Sequence, residues 1–266
     1  MKQTILSSIP TECPWRDTLY WFDTIDSTND RLKDLAAQGA PHGTVLIAGQ
    51  QTRGRGRLGR SFHSPAGKGI YLSVLLRPGC EAKQLMHLTC ATAVAMCDAV
   101  ESTAGYRPGI KWINDLMANG KKLGGILTEL SVDPGSGMVR SAIIGIGINC
   151  SHAREDFPSS IRDIAISLEA VTYKPVPTAQ LAAAMVNALW QMDAGLLSHK
   201  EIIMERYREN CLTLDREIVL HRADGQRTAT AIDIDEDGAL LVRFANGNME
   251  AVSSGEVSVR GLSGYM

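Results

Sequence analysis

The chain has 266 residues, 44% hydrophobic and 21% charged, the proportions of an ordinary globular protein and not of a disordered chain or a coiled coil. Lys plus Arg total 27 against 29 Asp plus Glu, a formal charge of −2, which argues against bulk nucleic-acid binding but leaves room for a local cationic patch. No window approaches the roughly 18 apolar residues of a membrane span, MKQTILSSIPTECPW lacks the apolar core of a secretory signal, and six cysteines with no CxxC pair suit free thiols in a reducing cytoplasm.

Ser27 to Leu35 reads as a helix start. Ser27 is an N-cap with Asp30 three residues on, and Leu32, Leu35 and Ala36 form an apolar face that Gly39 and Pro41 terminate. Thr44 to Gln50 is a strand, followed by a basic glycine-rich stretch and a second strand, Ile70 to Arg77. Glu81 to Val100 is a long Ala-rich helix. Ile110 to Trp112, Leu123 to Leu130 and Val139 to Asn149 are strands, and the DPGSG turn between the last two makes at least part of the sheet antiparallel. Ile161 to Leu168, Thr178 to Leu197 and Glu201 to Cys211 are helical. Beyond Cys211 the texture changes to short strands at Glu217 to Leu220, Ala229 to Ile234, Ala239 to Phe244, Met249 to Val252 and Val257 to Val259. Turns containing ADG, DEDG and ANGN separate them, the pattern of a small barrel or sandwich. The boundary falls near Leu212, dividing the chain into 1–212 and 213–266.

Three stretches carry chemistry. In the first, Gln51 to Gly69, Arg53, Arg55, Arg57 and Arg60 interleave with Gly54, Gly56 and Gly59. Glycines let consecutive backbone N–H groups form an anion nest, and guanidinium forks match phosphate or carboxylate oxygens. Its few apolar residues and its like charges predict a loop that a polyanionic ligand orders. A solvated surface loop and an RNA-binding segment are the competing readings, the latter weakened by the acidic balance.

In the second, Lys111 to Glu129, Lys122 stands between a polar turn and an apolar strand carrying Gly124 and Gly125. Its ammonium can aim at a carboxylate or phosphate, or sit in water as an ordinary turn lysine. Asn114 and Asp115 are turn residues, metal ligands or orienters of an amine. In the third, Ile143 to Asn149, Gly145 and Gly147 are two residues apart on one face of a buried strand and leave a slot for a thin ligand, or for a sheet–helix contact. GxGxxG, P-loop, GxSxG and HExxH patterns are absent.

Taken together, these stretches resemble the biotin protein ligases. The resemblance lies in STND at Ser27 to Asp30, GRGRLGR at Gly54 to Arg60, SPAGKGIYLS at Ser64 to Ser73, KWIND at Lys111 to Asp115, KKLGGIL at Lys121 to Leu127 and GIGIN at Gly145 to Asn149. DEDGALLVR and SGEVSVR near the C-terminus are similar to that family's small terminal domain. Each motif alone is weak; six in order are specific. Two positions depart from the family pattern. Ile113 replaces the usual proline of Trp-Pro-Asn-Asp, and Phe62 replaces a tryptophan, keeping an aromatic face without an N–H donor.

The resemblance implies an α+β fold: a mixed β-sheet covered by helices, related to class II aminoacyl-tRNA synthetases, with a C-terminal SH3-like barrel. It implies that biotin and ATP, with Mg²⁺, give biotinyl-5′-AMP and pyrophosphate. A lysine of a biotin carboxyl carrier domain, such as that of acetyl-CoA carboxylase, then takes the biotinyl group. Implied biotin contacts are Ser27, Thr28, Asn29, Gln51, Gly54, Arg55, Arg57, Lys122, Gly125, Gly145 and Gly147, with Ser27, Thr28 and Gln51 on the ureido ring. Implied nucleotide contacts are Arg57, Arg60, Phe62, Asn114, Lys122 and Asn149. Lys122, Arg57, Asp115 and Lys111 are the implied catalytic residues: Lys122 holds the carboxylate and then the phosphate, and Asp115 orients the acceptor amine. No residue is assigned to a metal. Lipoate–protein ligase, with shared fold and chemistry, is the alternative; GRGRLGR followed by SPAGKG favours biotin. Longer relatives carry an N-terminal DNA-binding domain. About two dozen residues precede STND, too few for a three-helix domain, so the expectation is a cytoplasmic ligase, monomer or homodimer, without DNA or membrane as partner.

Overall fold

The computed structural model describes residues 1–222 and 225–253, and the backbone alone of 258–261. The first part of the chain builds α1 (Lys2–Ser8), β1 (Leu19–Phe22), α2 (Thr28–Ala37), β2 (Thr44–Ala48), β3 (Gly69–Leu76), α3 (Leu88–Ala104), β4 (Gly109–Lys111), β5 (Asp115–Ala118), β6 (Lys121–Val132) and β7 (Val139–Asn149). Then come α4 (Leu168–Thr172), α5 (Thr178–Gly195) and α6 (Lys200–Asn210). The strands form one seven-stranded sheet in the order β1-β2-β3-β7-β6-β5-β4, parallel at β1–β2 and antiparallel elsewhere.

Side-chain alternation sorts the sheet into two faces. Val45, Ile47, Leu72, Val74, Ile144, Ile146 and Ile148 point into the main core with α3 and α5. Leu46, Leu75 and Ile143 point the other way and pack on Leu32 of α2. Residues paired directly across neighbouring strands share a face. The register Ser73↔Gly145↔Leu127 and Tyr71↔Gly147↔Gly125↔Asp115 therefore puts all of these on the α2 face. α2 covers only one end of that face, and the rest is left for a site.

Several expectations need correction. The helix read from Glu81 to Val100 is two pieces. Ala82–Leu85 is a 3₁₀ turn closed by a Glu81/Gln84 capping box, and α3 starts at Leu88 and runs on to Gly105, whose φ of 66° ends it. The segment from Ile161 to Leu168 is not a helix. It turns at 158–165 and then runs beside β6, with Ile164 O accepting from Lys122 N at 2.7 Å and Ile166 N donating to Lys122 O at 2.9 Å. Its apolar residues serve a wall, not a helix stripe. The sequence reading assigned no element to α1, β1 or β5.

β8 (Glu217–Arg222), β9 (Gly225–Ile234), β10 (Leu240–Arg243), β11 (Met249–Val252) and β12 (Ser258–Gly261) make a five-stranded antiparallel sheet, the SH3-like part of the chain. Ala223 and Asp224 of the ADG turn, and Ser254 to Val257 of the SGEVSVR motif, lie outside the described residues. The DEDG turn touches the first part directly: Gly238 O accepts from Trp112 Nε1 at 2.9 Å, and Asp237 pairs with Lys200 at 2.6 Å. All six cysteines are buried free thiols. Among the described residues no helix is long and apolar enough to cross a membrane.

Candidate active site

Beside α2, the uncovered part of the sheet floors a cavity of about 240 Å³. Every site residue expected from the sequence lines it except Gly54. Gly54 lies behind the wall, where a Cβ would stand 2.4 Å from Phe62 O and 2.6 Å from Ser64 Oγ.

The start of α2 forms one end. Ser27 Oγ accepts from Asp30 N at 3.3 Å, the expected N-cap. Thr28 donates from both its backbone N and its Oγ1 to Gln51 Oε1, at 2.8 and 3.0 Å. Asn29 Nδ2 donates to Glu129 Oε2 at 3.0 Å. The slot expected above Gly145 and Gly147 is filled by the protein itself. A Cβ on Gly145 would meet Asn29 Oδ1 at 2.0 Å, and one on Gly147 would meet the Phe62 ring at 2.4 Å. The two glycines let an amide and an aromatic ring settle onto the strand, where they form part of the cavity wall.

The arginine loop closes over this end, and its four guanidinium groups are not equivalent. Arg53 pairs with Asp26 at 2.6 Å. Arg55 pairs with Asp30 at 2.5 Å and Glu129 at 3.2 Å. Arg55 lines the cavity, and in this structure its guanidinium ties the loop to α2 and β6. Burial alone would raise the Glu129 carboxyl, but Lys33, Asn29 and Arg55 outweigh it and hold its pKa below the ordinary value. Arg57 reaches inward and donates to Asn114 Oδ1 at 2.9 Å. Burial pushes its pKa down and the Asp115 carboxylate opposes that shift. Arg60 is exposed at the rim, beside Leu58, which has φ 54° and is 63% exposed.

At the opposite end Lys122 Nζ lies 2.5 Å from Asp115 Oδ1. The ammonium crosses above Gly125, where a Cβ would stand 3.1 Å from Nζ. Lys111 is buried on β4 opposite Asp115. The Trp112–Ile113 peptide, at the departure from the family pattern, is cis. Asn149 donates from Nδ2 to Ile166 O at 3.1 Å. The site is thus lined by cations and amides at both ends and, among the described residues, by one carboxylate, Asp115.

Two family models match the chain: the biotin/lipoate A/B protein ligase family over residues 21–149 and the biotin protein ligase C-terminal domain over residues 213–260. The bifunctional ligase/repressor BirA of Bacillus spizizenii is 35% identical over 233 residues, spanning 86% of this chain and 70% of its own. This chain belongs to the biotin protein ligase family. A biotin–[acetyl-CoA-carboxylase] ligase of Mycobacterium tuberculosis is 31% identical over 243 residues, covering 87% of this ligase and 85% of that one. The biotin protein ligase from Aquifex aeolicus in complex with biotin and ATP superposes with a TM-score of 0.77 at 30% identity, over 92% of this ligase and 99% of that chain.

The sequence reading missed part of the site. Phe157, Ile161, Ile164 and Ala165 supply an apolar wall of the ligase's cavity. The spacing from Ile161 to Leu168 suggests a helix, and the Phe157-Pro158 break just before it points to a turn instead. Glu129, Ser64 and Ser73 carry no cavity surface but hold Arg55, Gln51, Thr28 and Asn29 in place.

Proposed function

We propose that this ligase joins the carboxylate of biotin to a protein lysine at the expense of ATP, in two steps at the one cavity. In the first, a carboxylate oxygen attacks the α-phosphorus and pyrophosphate leaves. In the second, an acceptor amine attacks the acyl carbon, loses a proton and expels AMP. Two groups of like charge must meet in the first step, so cations have to stand where the negative charge gathers. Lys122 takes the carboxylate and then the phosphate. Arg57, Lys111 and Arg60 face the phosphate chain, and Arg55 anchors the loop that shields the adenylate from water. Thr28, Ser27 and Gln51 receive the ureido ring. Phe62, Asn114 and Asn149 border the nucleotide. Residues 1–212 form the catalytic part and 213–266 the C-terminal domain.

The fit to Mg²⁺ is limited. Among the described residues Asp115 is the only carboxylate lining the cavity, and it faces Lys122. Among the described residues no group of three or more His, Cys, Asp or Glu is placed to hold a metal. The described residues therefore offer at most Asp115 to the ion, which would otherwise sit on the phosphates.

The Lys122–Asp115 pair carries this reading. It puts a cation and a carboxylate of opposite duty 2.5 Å apart on the cavity floor. When the substrate carboxylate takes over the ammonium, Asp115 is released to face the acceptor amine, whose pKa near 10.4 demands a proton acceptor or an orienting anion. The terminal-domain match and the names of the relatives favour biotin over lipoate. Incubation with biotin, MgATP and a biotin carboxyl carrier domain is expected to give a streptavidin-reactive product of the carrier lysine. A lipoyl product in its place would reverse the assignment.

A further inference from the structure

We infer that Ser73 and Ser64, both behind the cavity wall, are positioning residues that set the hydrogen-bond polarity of the pocket for the substrate's polar head. The inference deepens the proposed function and rests on its assignment of Thr28 and Gln51 to the ureido ring.

Polarity at Gln51 follows from groups with no choice of role. The Thr28 backbone N–H only donates, so the Gln51 atom 2.8 Å from it is the carbonyl oxygen. Gln51 Nε2 then faces Ser64 Oγ at 3.1 Å, and Ser64 Oγ donates onward to Phe62 O at 3.0 Å. Ser64 is buried and accepts one amide hydrogen, leaving the other for the cavity. The missing side chain of Gly54 makes room for this contact, since a Cβ there would sit 2.6 Å from Ser64 Oγ and 3.2 Å from Gln51 Nε2.

Asn29 is oriented in the same way. Glu129 only accepts, so Asn29 Nδ2 faces it and Asn29 Oδ1 faces Ser73. Ser73 is fully buried on β3, with Oγ 2.7 Å from Thr28 Oγ1 and 2.6 Å from Asn29 Oδ1. Thr28 Oγ1 is in turn 3.0 Å from Gln51 Oε1. These three oxygen–oxygen contacts share only two hydroxyl hydrogens, one from Ser73 and one from Thr28. One contact always lacks a hydrogen, so the cluster is short of donors and favours a ligand that brings an N–H. A cyclic urea brings two N–H groups, and its carbonyl accepts the free amide hydrogen of Gln51. A dithiolane ring has no N–H to offer. Unpaired buried polar groups are what reject such an analogue.

Steady-state kinetics of Ser64→Ala and Ser73→Ala, with biotin, desthiobiotin (which keeps the cyclic urea and lacks the sulfur) and ATP varied in turn, test this. Each variant is expected to raise KM for biotin and for desthiobiotin by about tenfold, with KM for ATP and kcat within about twofold of wild type. An unchanged biotin KM in Ser64→Ala, or equal losses in the ATP and biotin parameters, overturns the inference. Should Ser73→Ala fail to fold in a thermal melt, Ser64→Ala decides alone, because its side chain belongs to the loop and not to the sheet. A wild-type enzyme that makes no biotinyl product would instead defeat the proposed function.

Discussion

Lys122 and Asp115 sit on neighbouring strands with their charged ends 2.5 Å apart, and Gly125 between them leaves the path clear. In the proposed function each half-reaction has its own member of this pair. Asp115→Asn removes the anion proposed to face the acceptor amine while the ammonium stays. ATP–pyrophosphate exchange is expected to stay within a few-fold of wild type, with transfer from preformed biotinyl-AMP to a carrier domain slowed by about tenfold or more. Single-turnover transfer checks this. Equal transfer rates in the two proteins would take Asp115 out of the second step.

The arginine loop is held by few backbone bonds. At its start Thr52 N and Arg53 N donate to Ile25 O and Asp26 O; across Gly54 to Arg60 only Gly56 N to Arg60 O and Arg60 N to Arg57 O are made by its own backbone, Phe62 N donates to Gly54 O, and side chains supply much of the rest. Such segments open at low free-energy cost. Amide exchange across Gly54 to Arg60 is expected to slow by about tenfold or more when biotinyl-AMP is added, as the phosphate gathers Arg57 and Arg60. Identical exchange with and without the adenylate would contradict ligand-induced ordering.

His152 gives the ligase an acid limit. It is 2% exposed, and its ring stacks on Phe157 at 4.6 Å in an apolar setting that offers its nitrogens little hydrogen bonding. Burial, aided by the nearby charges of His63 and Lys68 and opposed by Asp156 and by the Lys68 backbone, lowers its pKa to about 4. A folded-state pKa below the unfolded value means the unfolded chain binds the proton first. Stability is therefore intact above about pH 6.5 and falls as the pH drops toward 4, by up to about 3 kcal/mol. Urea unfolding is expected to show this loss in wild type and to lack that component in His152→Phe, which keeps the stacked ring. Parallel pH profiles for the two proteins would refute the assignment.

Much of this arrangement was legible because it is local. Ser27 caps its helix as its spacing with Asp30 implied, and the apolar runs that became β2, β3, β6 and β7 were bounded by turn residues. Gly145 and Gly147 were read correctly as lying on one face, but what fills that face comes from residues 29 and 62, far away in the chain. The ion pairs of Arg55 with Asp30 and Glu129 are not legible in the sequence, because these partners meet it only after α2 and β6 are docked. The apolar residues from Ile161 to Leu168 have helix-like spacing, yet the segment turns at 161–164 and is then pinned beside β6 by the Lys122 backbone, which donates to Ile164 O and accepts from Ile166 N. Tertiary pairing overrode local pattern in both places.

The proposed chemistry rests on the ammonium of Lys122. Biotin-dependent ATP–pyrophosphate exchange, measured in wild type and in Lys122→Ala beside matched thermal melts, tests it most directly. Loss of exchange by about a hundredfold or more in a folded variant is the expected result. Exchange at the wild-type rate without that ammonium would contradict it.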